Sequence, residues 1–161
     1  MTHRLALVLT GFLAATGVAA QTTDTAENDA SATVETVAEN APELIQSGLN
    51  ADLNEYLWKN RVLVVFADTD RDPRYLQQLE LIEAFPDDLI ERDVIVLTDT
   101  DPSAKSALRK QLRPRGFMMA LVEKDGVVYL RKPKPWTVRE LSASIDKHPL
   151  RQQEIRDRRQ P

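Results

Sequence analysis

Two short runs, Arg61 to Ala67 (RVLVVFA) and Asp93 to Thr98 (DVIVLT), constrain the fold of this chain most. Each is a nearly continuous series of β-branched and other apolar residues, with no polar alternation. A run of that kind suits a strand covered on both faces, as in a parallel sheet sandwiched by helices. Each run is followed by a helix start. Asp72-Pro73 opens a helix in which Leu76, Leu79, Ile82 and Phe85 recur at helical spacing, ending near Pro86. Asp101-Pro102-Ser103 opens a second, with Ala104, Ala107, Leu108 and Leu112, stopped by Pro114. In both cases an aspartate stands at the N-cap and a proline at the first helical position.

Further along, Gly116 to Glu123 (GFMMALVE) and Val127 to Arg131 (VVYLR) flank Lys124-Asp125-Gly126. Asp-Gly supplies the positive φ that a tight hairpin turn needs. Thr137 caps a last helix containing Val138, Leu141 and Ile145, with Glu140 in the capping-box position. The order is strand, helix, strand, helix, hairpin, helix, preceded by a short amphipathic lead-in at Asn54 to Trp58. Right-handed crossovers make the first two strands parallel, and the hairpin adds antiparallel ones. The expectation is a single α/β domain over residues 51–150, with a central four-stranded mixed sheet flanked by helices. That order is the core topology of a thioredoxin-like domain.

A closer resemblance follows from specific stretches. These are Leu57 to Phe66 (LWKNRVLVVF), Glu91-Arg92-Asp93, Lys124-Asp125-Gly126, and Ile145 to Arg151 (IDKHPLR) with Glu154. Together they resemble the P-DUDES group, a thioredoxin-like domain of unknown function found in exported bacterial proteins and in animal sushi-repeat-containing and coiled-coil-domain matrix proteins. The resemblance spans residues 53–156 and implies a fold more than a role.

Outside the domain the composition changes. Met1 to Ala20 reads as a secretory signal peptide: His3 and Arg4 open it, Leu5 to Val18 is apolar, and Val18-Ala19-Ala20 offers small residues for cleavage. At about 14 residues the apolar run is shorter than the roughly 18–20 that cross a bilayer. The expected location is therefore outside the cytoplasm, periplasmic or secreted, with no transmembrane segment after cleavage. Residues 21–50 are rich in Asp, Glu, Thr, Ala, Ser and Asn, without a lysine or arginine, and are expected to be an acidic disordered linker. Residues 151–161 are expected to form a basic C-terminal tail.

The chain has no cysteine. Redox members of the fold place a thiolate at the helix N-terminus after the first strand, where the helix dipole lowers its pKa. Asp68-Thr69-Asp70-Arg71-Asp72-Pro73 stands there instead, and Met118 occupies the place of the proline that abuts the thiols. Thiol–disulfide exchange and peroxide reduction at this position are excluded.

The residues that replace the thiols are acidic. Asp68 and Asp70 follow the first strand, Asp99 and Asp101 the second, and both loops fall on one carboxyl edge, where open α/β sheets bind ligands. One reading is a divalent-cation site of Asp68, Asp70, Asp99 and Asp101, since hard cations take oxygen ligands. The other is helix capping by Asp72 and Asp101 with solvated neighbours, and then no cofactor is implied. His148 is the only histidine beyond residue 20, which rules out a multi-histidine metal site, and no phosphate loop or nucleophile elbow is present. Trp58 and Trp136 are expected in buried packing, and Arg61, Arg92 and Asp93 in structural ion pairs.

Charge is divided along the chain, with a net of −13 over residues 1–104 and +9 over residues 105–161. Arg151, Arg156, Arg158 and Arg159 are the candidate contacts for a protein or other anionic partner. Nucleic acid is not expected, because no aromatic residue interleaves with these arginines. The functional expectation is an exported, non-catalytic binding domain. The alternative is a cation-dependent enzyme or cation-regulated protein that uses the acidic loops.

Overall fold

The computed structural model describes residues 43–160. The signal peptide expected over residues 1–20, and the linker as far as residue 42, lie outside the described residues. The sheet has the order β1-β3-β2-β4-β5. Its strands are β1 (Ile45–Ser47), β2 (Arg61–Phe66), β3 (Val94–Asp99), β4 (Met118–Val122) and β5 (Val128–Lys132). As expected, β2 runs parallel to β3, and the β4–β5 hairpin adds antiparallel strands against β2.

The fifth strand corrects the four-stranded expectation. Residues 45–47 fall in the expected linker, yet β1 pairs in parallel with β3, Ile45 opposite Val96. Gly48 continues the contact, donating its N–H to the Thr98 carbonyl at 2.8 Å. A Cβ on Gly48 would lie 2.8 Å from Leu108 Cδ1 and 3.2 Å from the Thr98 carbonyl oxygen, so a side chain there would have to displace the buried Leu108.

Every residue of β2 is buried, which is why its sequence does not alternate. Leu63, Val65 and Ala67 face one core, shared with Ile82, Leu141 and Ile145. Val62, Val64 and Phe66 face the other, with Leu108 and Leu112. The first core is covered by α1 (Pro73–Glu83), α2 (Pro86–Ile90) and α4 (Val138–Asp146), the second by α3 (Ala107–Leu112).

Two helix starts deserve comparison with the pattern. Asp72 caps α1 as expected, accepting from the Arg74 amide at 2.9 Å. Asp101 also caps, but only a 3₁₀ turn, Pro102–Ala104, because Lys105 turns left-handed at φ 47 and ends it. α3 then restarts with Ser106 as its cap. At the chain's end, Pro149–Arg159 forms α5, so the expected tail over residues 151–161 is helical up to Arg159.

Candidate functional site

At the carboxyl edge, the four aspartates considered for a cation serve separate ends. Asp68 and Asp70 are exposed in the loop after β2. Asp99 is fully buried; it accepts from the Ser106 hydroxyl, from Arg109 Nε at 2.8 Å and from the Asp101 amide at 3.2 Å. The same Arg109 guanidinium reaches the Ala67 carbonyl, so it ties the ends of β2 and β3 together. Asp101 Oδ1 accepts from the Ser103 hydroxyl at 2.6 Å and its amide at 2.8 Å, which holds its pKa below the usual carboxylate range. The Arg74 guanidinium does the same for Asp72, at 2.8 Å.

Among the described residues, no three His, Asp or Glu side chains gather in a way that could hold a metal ion. The two serine hydroxyls at this edge, Ser103 and Ser106, each donate to an aspartate, and both also lie in helix caps. Met118 lies opposite Phe66 at the start of β4, and Arg74 sits over the Phe117 ring at 5.4 Å.

The opposite edge is denser in chemistry. Arg61, the first residue of β2, is buried with 0% exposure. Its Nε donates to Glu123 Oε2 at 2.7 Å, and Nη1 donates to the Arg92 carbonyl at 2.9 Å. Both terminal nitrogens reach Glu154, at 3.0 and 3.2 Å. Lys124 Nζ bridges Asp93 at 2.8 Å and Glu154 at 3.1 Å. Burial alone would raise the Glu154 pKa, but hydrogen bonds from Arg61 and Lys124 outweigh it and lower it below the usual range.

The network continues behind Glu154. Arg92 makes a bidentate pair with Asp146, at 2.8 and 3.0 Å. His148 Nδ1 lies 3.8 Å from Glu123 Oε2, and its ring stands edge-on to Tyr129. Glu123 Oε1 and His148 Nδ1 are both buried without a hydrogen-bond partner.

The candidate partner arginines divide here. Arg151 is only 2% exposed and lies 3.4–3.6 Å from Glu154, Glu91 and Asp146. It belongs to the interior of the network, which corrects its assignment as a surface contact: the helical turn after Pro149 points it inward. Arg156, Arg158 and Arg159 remain exposed, and Arg158 reaches Asp93 at 3.3 Å.

Trp58 is a second correction. Trp136 is half-buried and packs beside the first core, with Lys132 Nζ 3.9 Å from its ring centroid, but Trp58 is 71% exposed. It sits at φ 60, its N–H bound to the Lys124 carbonyl at 2.7 Å. With Lys124, Leu150, Gln153, Glu154 and Asp157 it lines an open groove of about 400 Å³.

Every stretch that carries the family resemblance therefore meets at this edge: the start of β2, Glu91 to Asp93, the hairpin turn and the α4–α5 junction. The signal available in the sequence was the charged residue that each of these stretches carries. Residue-by-residue reading assigned Arg61, Arg92 and Asp93 to ion pairs, but it did not bring Glu123, His148 and Glu154 to the same place.

Solved structures with a similar backbone are thioredoxin-like. The reduced 2-Cys peroxiredoxin of Plasmodium vivax matches with a TM-score of 0.51 and 16% identity, covering 65% of this chain and 85% of that one. Desulfothioredoxin of Desulfovibrio vulgaris Hildenborough matches with a TM-score of 0.49 and 17% identity, over 65% of this chain and 97% of that one. The exposed lipoprotein thioredoxin Etrx1 of Streptococcus pneumoniae matches with a TM-score of 0.48 and 16% identity, over 63% and 96%. At 16% identity the likeness to the peroxiredoxin is one of fold. No curated protein matches the chain. Residues 52–154 match the family described as a domain of unknown function, DUF4174, and the chain belongs to that family.

Proposed function

We propose that this protein is an exported, non-catalytic binding domain that keeps a thioredoxin-like fold without its redox centre. The observation that carries the reading is the rebuilt carboxyl edge. The chain has no cysteine, Asp72 caps α1 against Arg74, and Asp99 is enclosed by Ser106 and Arg109. Asp72, Asp99 and Asp101 act on the backbone and on neighbouring side chains, which supports a structural use of this edge.

The finer family placement belongs to the same proposal. The P-DUDES resemblance rests on stretches that converge on the Arg61 network, and it supports export as the N-terminal sequence does. Binding is assigned to the exposed cations Arg156, Arg158 and Arg159, which suit a protein or other anionic partner.

Cell fractionation tests the export claim. The expected product is found outside the cytoplasm with an N-terminus near Gln21, and an uncleaved cytoplasmic chain would refute it. Crosslinking in that compartment tests the binding claim. A partner recovered with the native chain and lost with Arg156→Ser/Arg158→Ser/Arg159→Ser, in a protein that still folds, is the expected result. Recovery unchanged by the triple substitution would remove these arginines from the reading.

A further inference from the structure

Trp58 is costly where it stands, and most of its surface lies in solvent. It is the most exposed of the large apolar residues among those described. Its backbone lies at φ 60, a region that bulky L residues rarely enter. The position is also fixed: the Trp58 amide is tied to Lys124, and Leu57 abuts the hairpin turn, where a Cβ on Gly126 would fall 2.8 Å from Leu57 Cδ2. Glycine would meet the same turn geometry with less strain. Neither the backbone geometry nor burial accounts for an indole in solvent at this position.

What the indole does is form one wall of the 400 Å³ groove, a volume inside the range of about 300–1,000 Å³ usual for small-ligand sites. Two of the other walls are already engaged, since Lys124 and Glu154 pair with each other and with Asp93 and Arg61. The groups left to meet a ligand are the indole of Trp58, the amide of Gln153 and the carboxylate of Asp157. Gln153 and Asp157 are four residues apart on α5 and so share a face.

Their requirements differ. The carboxylate only accepts hydrogen bonds, the indole N–H only donates, and the amide does both. A cation would engage the carboxylate, the amide oxygen and the indole face but leave the amide and indole N–H donors unmet, and an anion would engage the donors alone. The engaged ion pairs beside them cancel in charge. A hydroxyl both donates and accepts, and a pyranose ring presents several of them around a flat C–H face that stacks on an indole. We propose that this groove binds a neutral saccharide of one or two rings, stacked on Trp58, with its hydroxyls on Gln153 and Asp157. The assignment rests on the non-catalytic binding reading and gives it a ligand class.

Trp136→Phe leaves Trp58 as the only indole of the whole chain. That variant would be titrated with cellobiose, maltose and N,N′-diacetylchitobiose while emission is followed, with calorimetry on the unsubstituted chain as an independent readout. The expected result is a saturable response to at least one disaccharide, with a dissociation constant on the order of 1 mM. It should be lost in Gln153→Ala and Asp157→Ala. Trp58→Gly should bind nothing yet unfold at the same temperature as the parent or higher.

No saturable response to any of the three up to about 50 mM would overturn the proposal. So would a marked fall in the unfolding temperature of Trp58→Gly, or saturable binding of trilysine in place of the sugars. Absence of binding leaves the non-catalytic reading standing. Release of new reducing ends from a bound disaccharide would instead refute that reading while keeping the groove.

Discussion

Arg61 carries a full charge with none of its surface in water, and its partners Glu123 and Glu154 come from β4's end and from α5. Truncating one member of such a cluster strands the rest as uncompensated buried charge. Arg61→Met is therefore expected to cost about 3–5 kcal/mol, read from the denaturant midpoint. Adding Glu123→Gln should recover part of that loss, because it removes the stranded carboxylate. Glu154 gives the pH dependence. Its folded-state pKa lies below its unfolded value, so its contribution is complete above the unfolded pKa and fades as pH falls through the folded one. The thermal midpoint should drop as the medium is acidified below about pH 4, and Glu154→Gln should flatten that drop.

Among the elements, α4 and α5 show opposite degrees of legibility. The α4 start was plain in sequence, because Thr137 and Glu140 form a local capping box whose two halves are three residues apart. Thr137→Ala should cost about 1 kcal/mol, measured by thermal or denaturant unfolding. α5 could not be recognised by an apolar stripe, since it buries an arginine and presents mostly charged residues. Its stability comes from Arg61, Lys124 and Asp93, residues far away in sequence, and no local pattern encodes that. A chain ending at Lys147 should lose cooperative unfolding, or fall by more than about 3 kcal/mol; an unchanged melt would show that α5 is dispensable. β1 was missed for a similar reason. Three residues carry little periodic signal, and their partner strand is about 50 residues away in sequence, Ile45 pairing with Val96. β2 and β3 were legible because burial on both faces leaves its mark at every position.

Over the whole molecule, the sheet's two edges have taken different roles. The carboxyl edge, where the acidic loops suggested a ligand, is closed by caps and by the Asp99–Arg109 pair. The sequence placed those aspartates together but could not show that Ser106 and Arg109 would enclose one of them. A cation at about 100 times its dissociation constant would stabilise the fold by about 2.7 kcal/mol. Millimolar calcium, magnesium or manganese is expected to leave the thermal midpoint where it is, and a clear rise would restore the acidic loops as a site. The amino edge instead gathers a buried charge network and an open groove beside it. Its central bond also joins the start of β2 to α5. Arg61 and Glu154 are 93 residues apart, so the charge buried at the start of β2 is matched only when α5 packs against this edge. Two distant parts of the domain are thus held by one ion pair, and loosening either exposes the same buried charge.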